Sequence, residues 1–249
     1  MARDRIEILF SGHWSAKQVS ISEIPTSREV DQDLETKATH SWEQMLIEAK
    51  KTNKLLWDSI LYRFENAVTT GENISLIISS IPFSIRFGMN KHTAVVQSLG
   101  SNFASRGIFS SCLVETADGL YVFIEKSDKY YTQKKYSWVG GVLSKTEEEI
   151  VDGISLFESV SKEVSEELGV SRNLHQSTLL RTGYLTENGN VCFLFSITLK
   201  CTSKELREHF KSSDNEASGL LVFSEINIKE NISIFESKDQ IKFALLDLI

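Results

Sequence analysis

Residues 154–170 constrain this chain more than any other stretch. Leu156, Phe157, Val160 and Val164 recur at helical spacing, and Gly169 ends the pattern as a helix-terminating glycine does. The segment is therefore predicted to be a helix with one buried face. That helix also carries Lys162-Glu163-Val164-Ser165-Glu166-Glu167, with three carboxylates inside five residues. Helical geometry places Glu163 and Glu167 one turn apart, with Glu166 beside them. Carboxylates so close repel one another unless water or a cation takes up the charge. One reading is a solvated acidic face. The other is a site for a hard ion such as Mg²⁺, which takes one or two protein carboxylates together with substrate phosphates.

Upstream, Trp138-Val139-Gly140-Gly141-Val142 reads as a strand running into a glycine pair, where backbone can approach a ligand closely. Strand, glycines, loop and acid-lined helix together resemble the Nudix box, G-x5-E-x7-R-E-U-x-E-E-x-G-U, with U a bulky aliphatic. Glu163, Val164, Glu166, Glu167, Gly169 and Val170 fall on its second half. The first half departs from it: Lys162 replaces the Arg, and Ile154 stands where the upstream Glu belongs. Gly141 lies twenty-one residues before Lys162 instead of fourteen, so the loop is seven residues longer. Lys cannot reproduce a bidentate Arg salt bridge, so the half that braces loop to helix is degenerate while the metal-binding half is intact.

Further matches resemble one branch of the superfamily, the mammalian UDP-glucose and UDP-galactose pyrophosphatases, which also have an atypical box. They are Ser41-Trp42-Glu43-Gln44-Met45-Leu46, Leu156-Phe157, and Asn215-Glu216-Ala217-Ser218-Gly219-Leu220-Leu221-Val222-Phe223. The resemblance implies a Nudix α/β/α sandwich with a mixed sheet over 106–249, preceded by an ordered α+β amino-terminal extension over 1–105 that covers the nucleotide. It implies Mg²⁺-dependent hydrolysis of UDP-sugars to UMP and sugar 1-phosphate, with Mn²⁺ as a substitute metal. Glu163 and Glu167 would be metal ligands, and Glu166 a further ligand or water-orienting group. Glu216 is the candidate general base, with an exposed loop acid as the competing reading. Candidate substrate contacts are Arg63, Arg86, Lys91, Arg106, Gly140 and Gly141. Other substrates of the superfamily (ADP-ribose, a dinucleotide, coenzyme A) stay open, as does a Nudix-like module that binds a nucleotide without cleaving it.

Composition narrows the setting. The 249 residues are 41% hydrophobic and 24% charged, which fits a soluble globular chain. A formal net charge of −7 gives no basic footprint for nucleic acid, so attraction of an anionic small-molecule nucleotide sugar falls to metal ions and a few local cations. Cys112, Cys192 and Cys201 lack metal-ligand spacing and are expected as reduced, buried thiols. Neither a signal-peptide core at the amino end nor a membrane-length apolar run is visible, so a cytoplasmic or nuclear setting is expected, with no membrane partner. No segment marks an oligomer interface. Glu147-Glu148-Glu149 in the long loop reads as a solvated run, and the five histidines show no ligand pairing.

Periodicity predicts strands over 6–10 and 19–24, a helix over 39–51, and a hairpin of 61–68 with 74–79. Strands over 107–115 and 120–126 are expected around Ala117-Asp118-Gly119. A strand over 136–139 precedes the glycine pair, and 179–185 pairs with 191–199. Helix 203–210, strand 220–223 and a closing helix over 238–248 complete the pattern.

Overall fold

The structure, a computed structural model, describes residues 7–126, 136–186, 188–210 and 217–230. It is a mixed α/β fold. In chain order the elements are β1 (Glu7–Trp14), β2 (Val19–Glu23), α1 (Gln32–Thr52), β3 (Ile60–Thr70), β4 (Asn73–Pro82), α2 (Phe83–Asn90) and α3 (Thr93–Leu99). Then come β5 (Ile108–Glu115), β6 (Tyr121–Lys126), β7 (Tyr136–Ser137), α4 (Gly153–Leu168), β8 (His175–Leu185), β9 (Val191–Leu199), α5 (Ser203–His209), β10 (Ala217–Phe223) and α6 (Glu225–Glu230). The larger sheet has strand order β1-β8-β9-β5-β6-β10, with β7 also on β6; the smaller has order β2-β4-β3.

By compactness the chain divides into two units drawn from interleaved segments. One takes residues 1–110, 142–159 and 180–193; the other takes 111–141, 160–179 and 194–249.

In the first unit, β3 and β4 form an antiparallel hairpin whose turn uses Gly71 at φ +59°. Ile74, Leu76 and Ile78 alternate inward along β4, the period-two signature of a half-buried strand. Against β4, β2 runs parallel, from Val19↔Ile74 to Glu23↔Ile78. β1 pairs antiparallel with the end of β8, from Glu7↔Leu185 to Trp14↔Leu180, with two register shifts. Gly183 is required there: a Cβ on it would stand 2.1 Å from the Phe10 ring. Phe10 in turn packs at 5.9, 6.0 and 5.4 Å on Trp14, Phe64 and Phe193. Helix α1 buries Leu34, Ala38, Trp42, Met45 and Ala49 along one stripe. Leu34 and Ala38 join Met89, Val96 and Ala104 in one cluster.

In the second unit, β6 pairs antiparallel with β10 and β5. The Thr116–Gly119 turn closes with a Gly119 N–H to Thr116 carbonyl bond of 2.9 Å, and Gly119 sits at φ +77°. Phe123 packs tilted against Trp138 at 4.6 Å and edge-on against Phe223 at 6.1 Å.

Several expectations shift. Helix α1 begins at Gln32 rather than at residue 39, because Asp31 caps it by accepting from the Leu34 N–H. β1 and β8 are longer than expected. The strand expected over 136–139 is β7 plus an isolated bridge from Val139 to Cys112. Helices α2, α3 and α6 were not anticipated. The closing helix over 238–248 lies outside the described residues. All three cysteines are buried and free of disulfides. No helix among the described residues is long and apolar enough to cross a membrane.

Candidate functional site

The site is built on α4. Leu156, Phe157, Val160, Val164 and Leu168 are buried, as the apolar spacing requires, and Gly169 ends the helix at φ +66°. The three glutamates then divide by environment. Glu166 is exposed, Glu163 is partly buried, and Glu167 is only 4% exposed.

A carboxylate that deep is costly to bury without a partner. Glu167 has one from the glycine pair: the Gly140 N–H donates to its Oε2 at 2.8 Å. A backbone N–H to a carboxylate is a charge-assisted bond, stronger than a neutral one. Gly140 adopts φ +136°, a conformation open to glycine and strained for other residues. Gly141 gives the second contact. A Cβ there would lie 2.8 Å from Glu163 Oε2, so the missing side chain is what lets the carboxylate reach the backbone. Four sequence-predicted residues, Gly140, Gly141, Glu163 and Glu167, therefore meet at one place in the second unit.

Two carboxyl groups one helical turn apart, one bonded to the Gly140 N–H and the other close against Gly141, are a hard-oxygen donor pair. That chemistry fits Mg²⁺, which binds through one or two carboxylates and completes its shell with water and phosphate oxygens. Among the described residues no group of three or more His, Cys, Asp or Glu side chains is arranged to hold a metal ion. Glu163 and Glu167 are the residues that would hold such a metal.

The candidate cations lie in the first unit and have different surroundings. Arg63 is 1% exposed and forms an ion pair with Glu65, itself bonded by Ser27 and Ser79. Burial works to raise the Glu65 carboxyl, but hydrogen bonds from Arg63, Ser27 and Ser79 and the Arg63 charge hold it down at about 2. Arg106 sits at φ +47° with its guanidinium carbon 5.1 Å over the Phe64 ring. Desolvation lowers its pKa, Arg63 adds to the lowering, and Glu65 and Glu7 oppose it. Arg86 donates from Nε to Asn190 Oδ1 at 3.1 Å, and desolvation brings its guanidinium to about 10. Lys91 is exposed, its Nζ 5.4 Å over the Phe87 ring.

Glu147 and Glu149 are exposed, in keeping with a solvated run. Glu216 lies outside the described residues. One residue went unnoticed in the sequence. Asn190 accepts from Arg86 and Ser105 and donates to Asn90 and Asn188 at 3.0 Å each. Its only sequence signal was membership of a hairpin turn.

No protein-family model matches the chain, and no curated protein matches it. Among solved structures it is similar to Tm1382, described as a candidate Nudix hydrolase, with a TM-score of 0.40 and 12% identity over 57% of this chain and 69% of that one. It is also similar to RenU, a Nudix hydrolase from M. smegmatis, with a TM-score of 0.36 and 9% identity over 58% of this chain and 88% of that one. Both likenesses are partial and assign no activity to this chain.

Proposed function

We propose that the chain is a Mg²⁺-dependent Nudix hydrolase that splits the diphosphate bond of a nucleoside diphosphate-linked substrate, with UDP-glucose and UDP-galactose as the candidate substrates. The observation that carries this reading is the convergence of Glu163 and Glu167 on Gly140 and Gly141. It brings together the two halves of the sequence pattern that resembles a Nudix box. The UDP-sugar preference is supported by the matches at 41–46, 156–157 and 215–223 alone.

Attack on a diphosphate must bring water to phosphorus shielded by anionic oxygens. Bound at Glu163 and Glu167, Mg²⁺ would draw off that charge and make a bound water more acidic. The chain's own part is to fix the two carboxylates. The Gly140 N–H orients Glu167 and keeps one of its oxygens engaged. Glu166, exposed on the next helical position, is left to orient water or take its proton. Glu216 is the second candidate base. Ile154, in place of the upstream carboxylate, is 51% exposed and has no oxygen to offer a metal.

The test is a hydrolysis panel with and without Mg²⁺, using UDP-glucose, UDP-galactose, ADP-ribose, NADH and coenzyme A, with products separated by chromatography. UMP and sugar 1-phosphate from the UDP-sugars alone would support the full reading. Cleavage of another substrate would keep the glutamate chemistry and remove the uridine preference. Tight nucleotide binding with no cleavage in any metal would overturn catalysis.

A further inference from the structure

Asn190, 1% exposed in the turn between β8 and β9, gathers side chains of the first unit around one amide group. Its Oδ1 accepts from Arg86 Nε at 3.1 Å and from Ser105 Oγ at 2.8 Å. A guanidinium nitrogen can only donate, so the amide oxygen of Asn190 faces Arg86 and its NH₂ group faces the other way. That NH₂ group donates to Asn90 Oδ1 and to Asn188 Oδ1 at 3.0 Å each. Both neighbours therefore turn their oxygens to Asn190. The Nδ2 groups of Asn90 and Asn188 are left with no acceptor among the described residues.

Arg86 is in the same condition. It lies four residues before Asn90 on α2, so one helix face offers both groups to Asn190. Its Cδ occupies the space left by Gly107: a Cβ there would stand 2.7 Å away. The guanidinium carbon is 5.9 Å over the Phe83 ring. With the stem pinned and Nε engaged, the two terminal nitrogens meet no acceptor among the described residues, and no carboxylate pairs with the charge. Loss of water lowers its pKa to about 10, which leaves it charged at neutral pH. Arg86, Asn90 and Asn188 are half-buried, so each keeps some surface open to a ligand in solution.

We infer that Arg86, Asn90 and Asn188 form a binding site for a phosphate-type oxyanion, with Asn190 as the positioning residue that makes donors of all three. The groups left open are donors only, which suits an anion. They also outnumber what the two oxygens of a carboxylate would use, and a guanidinium fork grips phosphate through two parallel bonds. The site belongs to the first unit alone and does not rest on the activity proposed for the α4 glutamates.

The test is a titration in EDTA, which keeps divalent metals off those glutamates, read by NMR from the side-chain N–H signals of isotope-labelled protein. The probes are inorganic phosphate, UMP and uridine, with NaCl at matched ionic strength as the control. Phosphate and UMP should each give saturable shifts of the Arg86 Nε–H and of the Asn90 and Asn188 NH₂ signals, and uridine none. Asn190→Asp keeps the size and the bonds of the hub, but its second oxygen turns both neighbouring amides round and its charge neutralises Arg86. Its phosphate affinity should fall at least about 10-fold, the scale of one hydrogen bond to a charged group, while melting stays cooperative. UMP binding tighter than phosphate would support the site with a nucleotide as the source of the oxyanion, and equal affinities would support it with phosphate alone recognised. The absence of saturable shifts, shifts reproduced by NaCl, or undiminished affinity in Asn190→Asp would each overturn it. Should Asn190→Asp not fold, Arg86→Lys keeps the charge and loses the fork, and is read by the same loss of at least about 10-fold. Hydrolysis of UDP-sugars with Mg²⁺ can fail without altering this result.

Discussion

Glu167 is a deeply buried carboxyl group, and the glycine pair supplies it with a backbone donor. The Gly140 N–H donates to its Oε2 at 2.8 Å, which fixes the carboxyl group at the glycine pair. Under the proposed function, Glu167→Gln keeps the shape and removes the charge, so turnover falls by at least about a hundredfold, the scale of losing a main electrostatic stabiliser. Turnover at the wild-type level would remove Glu167 from the metal site. Glu65 makes the opposite case, a buried carboxylate whose work is structural. Its folded pKa of about 2 lies below the ordinary value of 4.5. It therefore contributes stability above pH 4.5, on the order of 3 kcal/mol, which is lost as pH falls from there towards 2. Glu65→Gln should lower stability in urea by about 3 kcal/mol at pH 7, since it leaves Arg63 buried without its counter-charge. It should also flatten the acid limb of the stability curve. An acid limb identical to that of the wild type would refute the assignment. The α4 glutamates were legible as residues, because three acids in five positions with a closing glycine form a local pattern. Glu65 and Asn190 were not, because their roles come from partners far along the chain.

At the scale of elements, hydrophobic periodicity located nearly every strand and the long helices, and it failed where the pattern is weak. The first turns of α1 read Gln32-Asp33-Leu34-Glu35-Thr36-Lys37-Ala38, largely polar with only Leu34 and Ala38 facing inward. The cap at Asp31 marks the true start, and Asp31→Ala should cost about 1 kcal/mol in urea unfolding. Helices α2 and α3 are eight and seven residues long, too short for a stripe to declare itself. They exist because α1 gives them a surface. Gly88 records how close that packing is: a Cβ there would stand 2.2 Å from the Ala38 carbonyl oxygen, and backbone cannot move aside as a side-chain tip can. Gly88→Ala should therefore destabilise the protein by about 3 kcal/mol, the upper part of the range for overpacking. A loss within about 0.5 kcal/mol, measured by chemical unfolding, would show that α1 and α2 can separate at little cost.

For the whole molecule, the sequence predicts a boundary near residue 105, where the strands of the second half begin. What a linear pattern cannot display is which distant segments complete a core. β1 takes its pairing from residues 180–185, Phe10 packs on Phe193 against Gly183, and the edge of β3 takes its bonds from 143–146. All of these lie beyond residue 105, yet each belongs to the same compact unit as the first 110 residues. A chain of residues 1–105 would keep the β2-β4-β3 sheet and α1. It would leave β1 unpaired, the Phe10 ring without Phe193 and the β3 edge open, features that favour association over folding. Such a fragment is expected to unfold without a cooperative thermal transition and to bind a dye for exposed apolar surface, while the 249-residue chain melts cooperatively. Adding residues 106–249 as a separate polypeptide should restore cooperativity, because the missing strand and loop are then supplied in trans. Cooperative melting of the fragment alone would mean that the small sheet and α1 carry a sufficient core, and that the interleaved contacts add stability without deciding the fold.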